Sequence, residues 1–104
     1  ILVTLVAKAE SSSEGELRAQ SFLKATSPCP KMTTLIVVYD EIHKVEKTFY
    51  DFDDNTSSLE IDETVEDLES GKEYSVTCSA TVTFPAGYVP PIANRSWVNY
   101  VTVK

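Results

Sequence analysis

The segment from Tyr74 to Phe84 constrains the fold most, because its side chains alternate without interruption between two kinds. One set is apolar: Tyr74, Val76, Cys78, Ala80, Val82 and Phe84. The other set is small and polar: Ser75, Thr77, Ser79, Thr81 and Thr83. A side-chain period of two places the first set in a core and the second in water. The pattern therefore predicts a half-buried strand over Lys72–Phe84.

Six further segments read as strands, at the spacing expected of a β-sandwich. They are Leu2–Ala9, Glu16–Ala25, Thr33–Ile42, Val45–Phe52, Ser58–Val65 and Trp97–Val103. Ser27–Pro30 is predicted to be a loop, because proline removes ladder donors. The other long irregular stretch is Pro85–Ser96. A helix over Glu60–Leu68 is the alternative to the fifth strand, disfavoured by β-branched residues and missing caps. With 104 residues, the chain is expected to be one domain, residues 1–104.

The charge of the chain excludes two classes of partner. Its formal net charge is -7, whereas nucleic acids and anionic lipid surfaces attract clusters of Lys and Arg. No apolar run approaches the roughly 18 residues of a spanning helix, so no membrane insertion is expected. The apolar start, Ile1–Ala7, reads as a strand rather than a signal-peptide remnant, because no positive residues precede it.

Two cysteines and two glycosylation sequons indicate the cellular compartment in which the protein is found. Cys29 and Cys78 are either unrelated thiols or a disulfide closing a loop of about fifty residues, worth roughly 3–4 kcal/mol. The sequons begin at Asn55 and Asn94, both in predicted loops, where glycan acceptors belong. Together these features favour an extracellular, secreted or cell-surface setting, with Cys29 bonded to Cys78 and both asparagines as glycosylation sites.

The spacing Leu68-x-x-Gly71-x-x-Tyr74 looks like the tyrosine corner of β-sandwich domains. With the order of strands around it, nearly the whole chain resembles a fibronectin type III domain. The resemblance implies an all-β, seven-strand antiparallel sandwich with sheets A-B-E and C-C′-F-G. An immunoglobulin-like domain is the alternative, but its disulfide joins strands B and F, and Cys29 follows strand B. The usual strand-B tryptophan has no counterpart either, since the one tryptophan is Trp97.

Catalytic and metal sites are poorly supported by the inventory of residues. The single histidine, His43, has no nucleophile at a recognisable spacing, so neither an enzyme nor a cofactor is expected. The best metal candidate is a calcium-loop-like spacing with hard oxygen ligands. Its members are Asp51, Asp53, Asn55 and, at the twelfth position, Asp62. Thr56 stands where such loops need Gly for the turn, so no calcium dependence is predicted.

Binding is expected at the loops. Thr26–Met32 and Pro85–Ser96 should lie at one end, with Tyr88 and Val89 at the tip and Pro28 and Pro90 stiffening the chain. The alternatives are that Tyr88 folds over the core, or that a sheet face carrying Phe49 or Tyr50 binds instead. A face is also suggested by the run Leu35–Tyr39, which is apolar on both sides and suits a strand covered twice or one facing a partner.

These features predict a non-catalytic, extracellular protein-interaction module of the receptor or adhesion type, whose partner is another extracellular protein. The alternative is a small secreted inhibitor or host-directed effector that presents residues 85–96 to a protein target. The sequence leaves the oligomeric state open.

Overall fold

The structure, a computed structural model, describes residues 1–104 as an antiparallel all-β domain without helices. Five strands make one curled sheet, elongated to 49 × 22 × 17 Å. The strands are β1 Val3–Glu10, β2 Leu17–Tyr39, β3 Val45–Val65, β4 Glu73–Thr83 and β5 Ile92–Thr102. The all-β antiparallel prediction is confirmed, and the structure has five strands where the sequence predicted seven.

The strand count differs because two pairs of predicted strands are continuous. The second and third form β2, and the fourth and fifth form β3, which also excludes the helix over Glu60–Leu68. Pro28 does not break β2, because the pairing of β2 with β3 shifts register between Lys24 and Cys29. Pro28 lies in this bulge, where the ladder needs no donor.

Strand β2 is the centre of the sheet. The strand order is β1-β2-β4-β5, and β3 pairs with β2 along both of its halves. Residues 18–25 of β2 pair with β1, and residues 31–39 pair with β4. The two halves of β2 therefore have different neighbours on one side and share β3 on the other.

The core lies inside the curl and consists of two clusters. The predicted alternation is confirmed, since Tyr74, Val76, Cys78, Ala80 and Val82 are all buried along β4. The first cluster is Leu17, Ala19, Ile36, Val38, Ile61, Val65, Tyr74, Val76, Cys78, Val101 and Val103. The second cluster is Leu23, Cys29, Met32, Leu59, Ala80 and Val82. Strand β2 contributes to both: its two ends, at Leu17 and at Ile36 and Val38, lie in the first cluster, and its middle, from Leu23 to Met32, lies in the second.

The corner before β4 has the predicted geometry. Tyr74 is buried, and its hydroxyl accepts a hydrogen bond of 3.0 Å from the Glu69 backbone N–H. Gly71 has a positive φ of 82°, a conformation that suits glycine, and its N–H donates to Val103 O at 2.7 Å. The corner therefore fixes the start of β4 against the end of the chain.

We expect Tyr74→Phe to lower the free energy of unfolding by about 1 kcal/mol, because it removes one hydrogen bond and leaves the Glu69 N–H without its partner. Urea denaturation of the variant and the parent would measure the difference. Equal stabilities would contradict the role assigned to this hydroxyl.

Candidate protein-interaction surfaces

The predicted disulfide is absent, because the two cysteines lie in different clusters. Cys29 pairs with Thr56, and Cys78 pairs with Ile36, seven positions farther along β2. That offset corresponds to about 23 Å of strand. A disulfide needs Cα atoms within about 7 Å. Both thiols are free and buried, and the Cys29 thiol donates to Ser27 O at 3.3 Å.

Cys78 faces Ser21, not Cys29, across the interior of the curl. The Ser21 hydroxyl lies next to the Cys78 thiol, although it makes no hydrogen bond of good geometry. Burial raises the pKa of Cys78, which keeps the thiol protonated. The Thr34 hydroxyl is likewise buried without a partner. Cys29 and Cys78 are both buried packing residues, and the raised pKa of Cys78 disfavours its thiolate.

The candidate calcium residues do not form a loop. Asp51, Asp53 and Asn55 lie within β3, and Asn55 bends the strand with a φ of 51°. The Asp51 and Asp53 carboxylates each accept the N–H of the next residue, at 2.9 and 2.8 Å. Nowhere do three His, Cys, Asp or Glu side chains converge as a metal would require.

Asp62, the fourth candidate ligand, is held by Arg18. The guanidinium donates through Nε and Nη2 at 2.9 and 2.6 Å, in a bidentate geometry. This hydrogen-bonded pair lowers the pKa of Asp62. Asp62 therefore joins β3 to β2 at the surface.

His43 occupies an exposed turn, where its side chain packs on a neighbouring aromatic ring. Its ring stacks on Tyr39, with centroids 4.1 Å apart and planes 5° from parallel. The turn closes through the Asp40 carboxylate, which accepts the N–H groups of Ile42 and Lys44.

The two predicted binding segments meet at one end of the sheet, although their boundaries differ. Thr83 pairs with both Lys31 and Ile92, which places the connection after β4 beside the bend of β2. Thr26–Met32 is part of β2, not a loop, and residues 92–96 belong to β5. The irregular segment is therefore residues 84–91, called here the tip loop.

The tip loop is a closed, proline-rich turn with apolar side chains in solvent. Phe84 N–H donates to Pro91 O at 2.9 Å, and Tyr88 N–H donates to Pro85 O at 3.4 Å. Val89 is 94% exposed, and Tyr88 is 44% exposed with its ring centroid 6.0 Å from that of Phe84. Phe84 in turn packs on the second cluster, so the core supports the loop. Pro90 and Pro28 are also exposed.

Both sequon asparagines are exposed, but neither lies in a loop. Asn55 is in β3, and Asn94 is in β5, where its side-chain oxygen accepts a hydrogen bond of 2.8 Å from the Thr81 hydroxyl. The predicted placement in loops is wrong, because both strands extend farther than their hydrophobic patterns. Glycosylation of these residues stays a prediction.

A second apolar surface emerges only from the register of four strands. We call it the outer face: four rows that run across β3, β2, β4 and β5 on the side opposite the core. The rows are Val45-Tyr39-Ser75-Tyr100, Thr48-Val37-Thr77-Val98, Tyr50-Leu35-Ser79-Ser96 and Phe52-Thr33-Thr81-Asn94. In the sequence, only the run Leu35–Tyr39 of β2 and the aromatic residues of β3 indicated this face. The contribution of β5 was not predicted.

The structure contains no helix with the length and hydropathy needed to cross a bilayer. Comparison of the chain with protein-family models, with curated proteins and with solved structures finds no match.

Proposed function

We propose that this domain is a non-catalytic, extracellular protein-interaction module that binds another protein through the tip loop. The exposed pair Tyr88–Val89 on a braced loop is the observation that carries the proposal. The extracellular setting is supported by the sequons at Asn55 and Asn94.

We further propose a two-layer, fibronectin type III-like sandwich as its architecture. The pairing supports this, since β1 joins only the first half of β2 and β4 joins only the second half. Strand β3 likewise pairs with the first half of β2 through residues 58–65 and with the second half through residues 45–56. Dividing β2 and β3 at their bends yields seven segments in the order that the resemblance implies.

The tip loop has the physical properties of a binding segment. Aromatic residues in the centre of an interface carry much of its energy, and Tyr88 has an exposed ring supported from beneath by Phe84. Burying the Val89 side chain would contribute roughly 1.5 kcal/mol more. Three prolines, Pro85, Pro90 and Pro91, restrict the loop before binding, which lowers the entropy cost of association.

A secreted inhibitor or host-directed effector is the second candidate, because Val89 projects almost fully from a narrow loop and suits insertion into a cleft. The two candidates differ in the full-length protein. A module has flanking domains in its parent polypeptide, whereas an inhibitor of this kind acts at this size. The length of the mature parent chain in extracellular fluid separates them.

We expect Tyr88→Ala to weaken binding of the partner more than tenfold, at least about 1.4 kcal/mol, with little change in melting temperature. The partner would be captured from extracellular fluid on the immobilised domain, and affinity measured by calorimetry. Tyr50→Ala is the matched control, because Tyr50 is a similarly exposed tyrosine in β3. If Tyr50→Ala abolishes binding and Tyr88→Ala does not, the tip loop is not the site.

A further inference from the structure

We propose that the outer face is a self-association surface, on which two copies of this chain pack face to face as a weak dimer. This inference goes beyond the proposed function, because the tip loop and the outer face are separate surfaces.

The outer face concentrates the exposed apolar side chains of the molecule. Eleven large apolar residues are exposed, and five of them lie in its four rows. They are Val45, Tyr50, Phe52, Val98 and Tyr100, exposed by 51 to 65%. Between them, β2 adds the half-buried Leu35 and Val37, and β4 adds a flat stripe of Ser and Thr. Exposed apolar side chains grouped on one uncharged face in this way are typical of an interaction site.

Electrostatics favours a second copy on this face. The chain carries a net charge of -7, so two copies repel wherever their charged surfaces meet. None of the sixteen side chains in the four rows is charged. Depletion of charge in the centre of a patch is also the compositional signature of interfaces.

The two ends of the face fix the relative orientation of the copies. One end is bordered by the acidic side chains of Asp40, Glu41 and Glu73, which outnumber the nearby Lys44 and Lys72, the latter paired with Glu41 at 3.9 Å. At the other end, Lys31 pairs in register with Asp54 and places its ammonium 5.4 Å from the Phe52 ring centroid. A twofold axis that makes the strands of the two copies antiparallel places the acidic end of each copy against the other copy's Lys31–Asp54 end. The two acidic ends then do not meet.

The available area predicts the strength of the dimer. Four strands spaced about 4.8 Å apart and seven residues long make a face of about 20 by 25 Å. Two such faces bury roughly 1,000 Å², which is near the lower limit of specific interfaces. Interfaces of this size are typical of weak, transient complexes, so we expect a dissociation constant in the micromolar range.

The test is sedimentation equilibrium of protein produced without glycans, between about 1 and about 500 µM, a range that brackets micromolar dissociation constants. Wild type should pass from monomer to dimer. Val98→Lys should stay monomeric, because it buries an unpaired charge in the interface. Val6→Lys is the matched control: Val6 is also 56% exposed and also in a strand, but lies on β1. It adds the same charge and should dimerise as wild type does.

A wild type that stays monomeric over this range would overturn the proposal, as would equal dimerisation of the Val98→Lys and Val6→Lys variants. Circular dichroism melts verify that both variants are folded. Tyr88→Ala should dimerise like wild type, so failure of the tip-loop proposal and failure of this one are distinguishable. Asn94 lies in the fourth row, so the dimer requires that this sequon be unoccupied, whereas a glycan on Asn55 is compatible with it.

Discussion

Ser21→Cys is expected to form a disulfide with Cys78 and to raise the free energy of unfolding by about 4 kcal/mol, because the bond closes a loop of about 57 residues in the unfolded chain. Both side chains are buried, and the Ser21 hydroxyl is close enough to the Cys78 thiol to influence its pKa. Ser21 is fully buried, and its hydroxyl has no hydrogen-bond partner, so the replacement also removes an unsatisfied polar group.

Thiol titration under denaturing, non-reducing conditions measures the bond directly. The parent should show two free thiols and the oxidised variant one, that of Cys29. Ser21→Ala is the control, since it removes the hydroxyl without adding a sulfur and separates this effect from that of the bond. Three free thiols in the variant would show that residues 21 and 78 do not face each other.

Ile36→Ala should lower the free energy of unfolding by about 3 kcal/mol, whereas Leu35→Ala should cost at most about 1 kcal/mol. The two residues are neighbours in β2, but Ile36 is buried in the first cluster, and Leu35 is half-buried on the outer face. A cavity in the core is costly because the surrounding side chains relax only partly.

Urea denaturation at a protein concentration well below the dissociation constant, where the dimer is dissociated, gives both stabilities. Leu35→Ala should instead weaken dimerisation, because Leu35 lies on the outer face. Ile36 lies in the core and does not contact the second copy. Equal losses of stability from the two substitutions would show that β2 is covered on both sides within one copy.

The alternation along β4 predicted its core face correctly, because a period of two is a local property of the chain. The corner was equally accessible, since Leu68, Gly71 and Tyr74 lie within seven residues. The continuation of β2 through Pro28 could not be predicted in this way. Pro28 is accommodated by a register shift between β2 and β3, and such a shift depends on the partner strand. The cysteine pairing failed for the same reason: the distance between Cys29 and Cys78 is set by the β2–β4 register, not by sequence separation.

The two candidate surfaces differ in the same way: one is local in sequence, and the other depends on strand register. The tip loop was predictable, because its prolines and its exposed pair, Tyr88 and Val89, are contiguous in sequence. A single row of the outer face joins Tyr50, Leu35, Ser79 and Ser96, which come from four strands. Hydrophobic patterning alone carries no information on which of these residues become neighbours.

The bend that makes β2 one strand of 23 residues governs how the chain reaches its native state. Because β2 lines both clusters, neither cluster can come apart without exposing part of this strand, and the domain folds as a single cooperative unit. Most of its pairings are also distant in sequence, as between Leu17 and Val65 or Lys31 and Thr83, which slows folding. During synthesis, β2 therefore emerges long before its β4 partner. Its apolar side chains stay exposed to solvent until β4 has been synthesised.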